Sequence, residues 1–233
     1  MNLGLSPAEW AIVALSLKVS LVAIGLTLPV AYALAWLLAR PPFPGRLVID
    51  AVVHLPLVLP PVVTGWLLLL AFGPAGPIGG WLQDTLGMVL VFDWTGAALA
   101  ASVMALPLTV RAIRLSLERI DRRLVEAAET LGASRLRAFL TITLPLSLPG
   151  VLAGAVLGFA RSLGEFGATV TFVSNIEGLT RTLPLAIYSE LQVPGGEAAV
   201  TRLALIAVAL SLGALLLSET IARRSGGRNA HVV

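Results

Sequence analysis

The 233-residue chain carries 57% hydrophobic and 12% charged side chains at a mean hydropathy of +0.92, too little polar surface to clothe a soluble globule, whose charged content is typically about 25%. It reads as an all-α integral membrane protein. Its formal charge of +3 does not point to nucleic acid, because the arginines lie in short stretches beside apolar runs, where membrane topology accounts for them. The absence of cysteine excludes disulfides and thiolate metal sites.

The first apolar run extends from Ala11 to Ala39 with Lys18 as its sole formal charge. At about 1.5 Å of rise per residue it exceeds a hydrocarbon core of roughly 30 Å. The preceding MNLGLSPAEW lacks a basic n-region, and the run is about twice a typical signal h-region, so a retained span is predicted. Lys18 is expected to snorkel to the outer interface. A second span is predicted over Leu47–Phe72, where Pro56, Pro60 and Pro61 remove backbone donors and should bend or unwind the helix. Such a break suits a gate, which makes Pro60 and the nearby Thr64 candidates for a transport pathway; a kinked packing helix is the alternative. Asp50 reads as an end residue, and His54 has no second histidine or carboxylate cluster around it with which to hold a metal.

Residues 73–93 hold Gly73-Pro74 and Gly76-Pro77 and neither lysine nor arginine, with Trp81 and Trp94 placed as interfacial anchors. Spans three and four are predicted over Trp94–Leu117 and Leu140–Leu163. Between them, at about 119–139, lies a polar, arginine-rich loop. There Leu124, Ala127, Ala128, Leu131 and Leu136 recur at near-helical spacing, and Glu126, Glu129, Arg135 and Arg137 supply a charged face. Gly132 interrupts that helix. An ordinary amphipathic interfacial helix would show the same periodicity. Arg161 and Glu165, four residues apart, should share a helix face and pair; they are candidates either for attracting an anion or for clamping the turn that follows. Phe166–Val173 is too short to cross but long enough to re-enter. Leu203–Ile221 completes the set.

Five full spans are therefore expected, with six as the alternative. Twelve of the sixteen basic residues (Arg40, Arg46, seven arginines from Arg111 to Arg137, and Arg223, Arg224 and Arg228) fall on one side in a five-span arrangement. The positive-inside rule makes that side cytoplasmic, with the N-terminus periplasmic and the C-terminus cytoplasmic.

Glu126-Ala127-Ala128, three residues, Gly132, nine residues and Ile142-Thr143-Leu144-Pro145 resemble the signature loop of the permease subunits of bacterial ABC importers. The resemblance implies a permease of the type I importer kind, a single transmembrane domain over residues 1–233 in the bacterial inner membrane. It also implies that Glu126, Ala127, Ala128, Gly132, Ala133 and Arg135 belong to a coupling helix seated on a cytoplasmic ABC ATPase, present in two copies and carrying the ATP and magnesium. A second permease copy, forming a homodimer, and surrounding membrane lipid complete that picture. With Lys18 as its one lysine, the chain contains no G-x-x-x-x-G-K-[ST] phosphate loop, so no cofactor is expected on it and it is read as a transport subunit rather than an enzyme.

The stretches 54–68, 104–118, 159–176 and 180–197 are similar to the permeases of molybdate importers. That similarity implies transport of molybdate, and of tungstate in many members, delivered by a periplasmic binding protein. The Arg-x-Leu-Gly-Glu-Phe-Gly element at 161–167 occurs in like form in sulfate/thiosulfate permeases, the alternative substrate class. A secondary transporter would need an ion-coupling site and usually an internal repeat. A membrane enzyme would need a catalytic constellation, and neither pattern is present in the sequence.

Overall fold

The computed structural model describes residues 4–226, which form α-helices, turns and one π-helical turn. The first helix, α1 (Pro7–Leu38), begins with a reciprocal cap: Ser6 Oγ accepts from the Glu9 amide at 3.2 Å, and Glu9 Oε2 accepts from the Ser6 amide at 2.7 Å. Glu9 has a second task. Its other oxygen accepts from Arg202 Nε at 2.9 Å, tying the N-terminal end of α1 to the last helix, α11 (Glu197–Gly226).

The expected second span is not one helix. It consists of α2 (Arg46–Val58) and α3 (Pro61–Phe72), inclined at 116° to each other across Leu59 and Pro60. The cause is local. A residue preceding proline is driven out of the α region, and both Leu59 (ψ 142°) and Pro60 (ψ 132°) precede one. Pro61 then starts α3 at its first turn, where a missing amide costs nothing. At 13 and 12 residues, each piece is roughly 18–20 Å long, short of a bilayer core on its own.

Helix α4 (Pro77–Leu86) lies within the connection read from sequence as loop. The most enclosed helix is α5 (Trp94–Glu118), packed between α1 and α8 (Leu144–Leu163). Small residues permit this approach. On α5 the buried face is Ala97, Ala98, Ala100, Ala101 and Ala105; on α8 Gly150, Gly154 and Gly158 recur every four residues and meet α5. A Cβ on Gly158 would stand 2.6 Å from Thr109 Oγ1 and 2.5 Å from Ile24 Cδ1. Hydroxyls stitch the same helices together: Ser102 Oγ donates to Ala23 O at 3.2 Å, Thr27 Oγ1 to Ser102 O at 3.2 Å and Thr109 Oγ1 to Gly154 O at 3.3 Å.

Two short helices follow α8. They are α9 (Gly167–Val173), packed on α3, and α10 (Leu183–Glu190), whose first amide donates to Ser16 Oγ at 2.7 Å. Neither can cross a membrane, so the sixth crossing has no helix to make it among the described residues. Helix α11 meets the far end of α8 where Leu203 packs with Leu163 and Val13, and therefore runs back antiparallel to α8. Four helices are long and apolar enough to cross, and five if α2 and α3 count as one broken span. Arg228 lies outside the described residues.

Candidate functional site: a docking elbow and a re-entrant junction

The polar loop folds as two helices set end to end around a glycine. Asp121 caps α6 (Arg122–Thr130) by accepting from the Arg123 amide at 3.0 Å. At the other end, the Gly132 amide donates to Glu129 O at 3.0 Å and the Ala133 amide to Ala128 O at 2.9 Å, the paired bonds of a Schellman ending. That ending requires a left-handed residue after the last helical turn, and Gly132 has φ +88°. Ser134 then caps α7 (Arg135–Ala138), accepting from the Arg137 amide at 3.3 Å. The π-helical turn Phe139–Thr143 leads directly into α8.

No residue of α6 is buried. Glu126, Ala127, Gly132 and Arg135 are exposed, while Ala128 and Ala133 are half-buried. Leu131 is 90% exposed and Leu136 68%, a cost in water that only a covering surface removes. The elbow thus offers small residues, apolar side chains and charges together. It leans on the end of the bundle through a cavity of about 380 Å³ lined by Trp36, Arg40, Leu117, Arg122 and Glu126. Beside it, Arg114 bridges Asp50 at 2.9 Å and Glu118 at 2.8 Å, and Arg46 approaches Glu118 at 3.9 Å. These ion pairs bring the Arg40–Arg46 turn and the end of α5 to the same end of the molecule as the elbow.

The other four predicted residues gather at the opposite break in the fold. Arg161 Nη1 lies 2.7 Å from Glu165 Oε2, with the Glu165 side chain 2% exposed. Glu165 Oε1 also accepts from the Ala168 amide at 2.8 Å and so fixes the turn from α8 into α9. The start of α9 fits against the start of α3. A Cβ on Gly167 would stand 2.7 Å from Pro61 Cβ, and one on Gly65 would stand 2.6 Å from Ala168 O. Pro60 and Thr64 therefore sit at the α3 side of a junction whose α8–α9 side is Arg161 and Glu165. Thr64 and Ser162 each hold a buried hydroxyl without a partner among the described residues. Lys18, by contrast, is exposed and lies over the Trp94 ring at 3.5 Å from its centroid. His54 Nδ1 bonds Asp50 O at 2.8 Å.

Sequence reasoning did not find the caps, although Ser6-x-x-Glu9 is a capping-box signature and Asp121 and Ser134 are strong N-cap types. Nor did it find α4, whose Pro77 at the start and left-handed Gly87 at the end are a readable pair of signals. The Arg114 bridge spans 64 residues of chain and left no local trace.

Comparison with known proteins gives the family and the fold. Residues 29–226 match the family model described as "Binding-protein-dependent transport system inner membrane component". The chain is 57% identical over 224 residues to the molybdenum transport system permease protein ModB of Escherichia coli K12, covering 96% of this chain and 98% of that one. To the protein of the same description from Haemophilus influenzae it is 60% identical over 210 residues, with coverages of 90% and 92%. To the sulfate transport system permease protein CysT of E. coli it is 38% identical over 195 residues, with coverages of 84% and 70%. Among solved structures, that of a bacterial ABC transporter involved in the import of alginate matches at a TM-score of 0.69 with 16% identity, covering 98% of this chain and 82% of that one, a likeness of fold.

Proposed function

Because the chain belongs to the family of inner-membrane components of binding-protein-dependent transport systems, we propose that it is the membrane-spanning permease of an ATP-driven importer of molybdate, with tungstate as a second cargo. Residues 1–233 form one permease domain. ATP hydrolysis belongs to a separate ABC ATPase, and a periplasmic binding protein delivers the oxyanion. Two copies of this chain and two of the ATPase build the complex. The substrate assignment rests on the difference between about 57–60% identity to molybdenum permeases and 38% to a sulfate permease, each over most of the chain.

The observation that carries the proposal is the elbow of α6 and α7, a polar helix pair in which Ala138 alone is buried, joined without a loop to a membrane helix. Movement of an ATPase groove holding Glu126, Ala127, Ala128, Gly132, Ala133 and Arg135 would pass through the Phe139–Thr143 turn into α8. Helix α8 is tied to α1 by the Tyr32–Ser147 hydroxyl contact at 3.0 Å and to α5 by its glycine face. Its far end carries Arg161, with Glu165 in the turn just beyond, next to α3. One stiff element of 20 residues, roughly 30 Å, thereby links the ATPase seat to the junction that we assign as the gate, with Pro60, Thr64, Arg161 and Glu165 at its hinge.

In this arrangement the arginine-rich end is cytoplasmic, the N-terminus periplasmic and the C-terminus cytoplasmic. Reporter fusions test this together with the partner. A fusion after Val233 is expected to be active only as a cytoplasmic reporter, one at Gly79 only as a periplasmic reporter, and the purified chain is expected to co-elute with an ATPase that hydrolyses ATP. A periplasmic C-terminus, or a chain that elutes alone from every expression host supplying the ATPase, would overturn the orientation or the assembly respectively.

A further inference from the structure

The outer face of α1 carries a groove whose apolar length transport as described above does not use, and which shares Arg135 with the elbow. It is about 610 Å³ in volume, and its lining includes Tyr32, Trp36 and Phe139, with Arg40 and Arg135 at the arginine-rich end. The wall is built rather than incidental. Phe139, the first residue of the π-helical turn, stands edge-on to Tyr32 at 5.9 Å and to Trp36 at 6.3 Å, and the Arg40 guanidinium lies over the Trp36 ring at 3.7 Å from its centroid. The remaining lining residues are Pro29, Ala33 and Leu136, so the groove contains two arginines and no carboxylate. Neither arginine has an ion-pair partner among the described residues. This contrasts with Arg46 and Arg114 at the same end, which face Glu118 and Asp50.

We propose that this groove is a binding site for one anionic phospholipid, its phosphate held between Arg40 and Arg135 and an acyl chain laid along Pro29, Ala33 and Tyr32. The chemistry selects the occupant. The exposed neighbours on α1, Leu26, Val30 and Trp36, are 41–54% exposed, an apolar surface of the kind that lipid chains cover on the rim of a membrane bundle. Two guanidinium groups without an ion-pair partner at the cytoplasmic interface attract an anion, and an anionic leaflet supplies one. A zwitterionic lipid would bring its own cation against them. A free inorganic anion would leave the apolar length of the groove empty. Because Arg135 also belongs to α7, an occupied groove holds the elbow against α1, and the lipid becomes part of the connection between ATPase seat and bundle. The inference rests on the membrane position of the arginine-rich end and is independent of which oxyanion is carried.

The test uses the full chain in complex with its ATPase, reconstituted in nanodiscs. Trp36 fluorescence, isolated by subtracting the Trp36→Phe variant, is followed as acyl-brominated phosphatidylglycerol or phosphatidylcholine replaces unlabelled lipid. Phosphatidylglycerol is expected to quench Trp36 at roughly tenfold lower mole fraction than phosphatidylcholine. Arg40→Gln combined with Arg135→Gln brings that ratio to about one, and Arg40→Lys retains most of it. Should the double variant fail to assemble, the contrast between Arg40→Gln and Arg40→Lys decides on its own. Millimolar phosphate leaves the quenching in place. Equal quenching by both lipids in the unaltered protein would reduce the groove to ordinary bilayer contact. Displacement by phosphate would make it a free-anion site, and absence of quenching by either lipid would mean that protein covers it; each of these overturns the proposal.

Discussion

Gly132→Val is expected to abolish ATP-driven transport while leaving the membrane bundle assembled. The Schellman ending of α6 places residue 132 at φ +88°, a conformation that costs a side-chain-bearing residue roughly 1–2 kcal/mol and a β-branched one more. A Cβ there would meet nothing within 4 Å, so the penalty comes from the backbone and not from crowding. The elbow must then open. The paired bonds of Gly132 and Ala133 to Glu129 and Ala128 are lost, α7 swings relative to α6, and the exposed leucines and Glu126 no longer lie together. The measurement is ATP hydrolysis and uptake by the purified complex. Valine is expected to detach the ATPase or to leave hydrolysis running without uptake. Gly132→Asn, which tolerates the left-handed region, should retain most coupling, and Glu126→Lys should give a milder defect than valine. Normal coupling in Gly132→Val would remove the elbow from the ATPase seat.

The second large effect belongs to Glu165. Its carboxylate is buried, paired with Arg161 at 2.7 Å and bonded to the Ala168 amide at 2.8 Å. Removing one partner of a buried pair costs about 3–5 kcal/mol when the other is left without compensation. Here Arg161 is 25% exposed, and solvent reduces the figure to roughly 2–3 kcal/mol for Glu165→Ala. Glu165→Gln keeps an acceptor for the Ala168 amide and is expected to lose about half as much. Thermal unfolding of the purified complex reads both. A role confined to stability predicts that uptake, once corrected for folded protein, is unchanged in Glu165→Gln. A role at the gate predicts that uptake falls with hydrolysis intact.

The membrane class and the elbow were legible in the sequence because each depends on a local pattern. Long apolar runs mark α1, α5, α8 and α11 whatever the neighbouring helices do, and the spacing of Glu126, Ala127, Ala128 and Gly132 encodes a helix end that glycine completes best. The i, i+4 spacing of Arg161 and Glu165 was likewise sufficient to predict their pair. The prolines at 56, 60 and 61 announced a break, but its size did not follow from them. The bend of 116° is set by where α3 finds its partner, and that partner is α9, about a hundred residues later in the chain, seated through Gly65 and Gly167. The same non-locality hid the Glu9–Arg202 tie and the Arg114 bridge. The aromatic groove combines the two cases: Trp36 lies in the last turn of α1 with Arg40 just beyond its end, whereas Phe139 arrives only because the chain turns through a π-helical segment before α8.

Uptake of labelled oxyanion by proteoliposomes containing this chain, its ATPase and the external binding protein tests the central claim most directly. ATP-dependent accumulation of molybdate that a tenfold excess of sulfate does not suppress is the predicted result. Accumulation of sulfate in preference to molybdate, or accumulation of either without ATP, would contradict it.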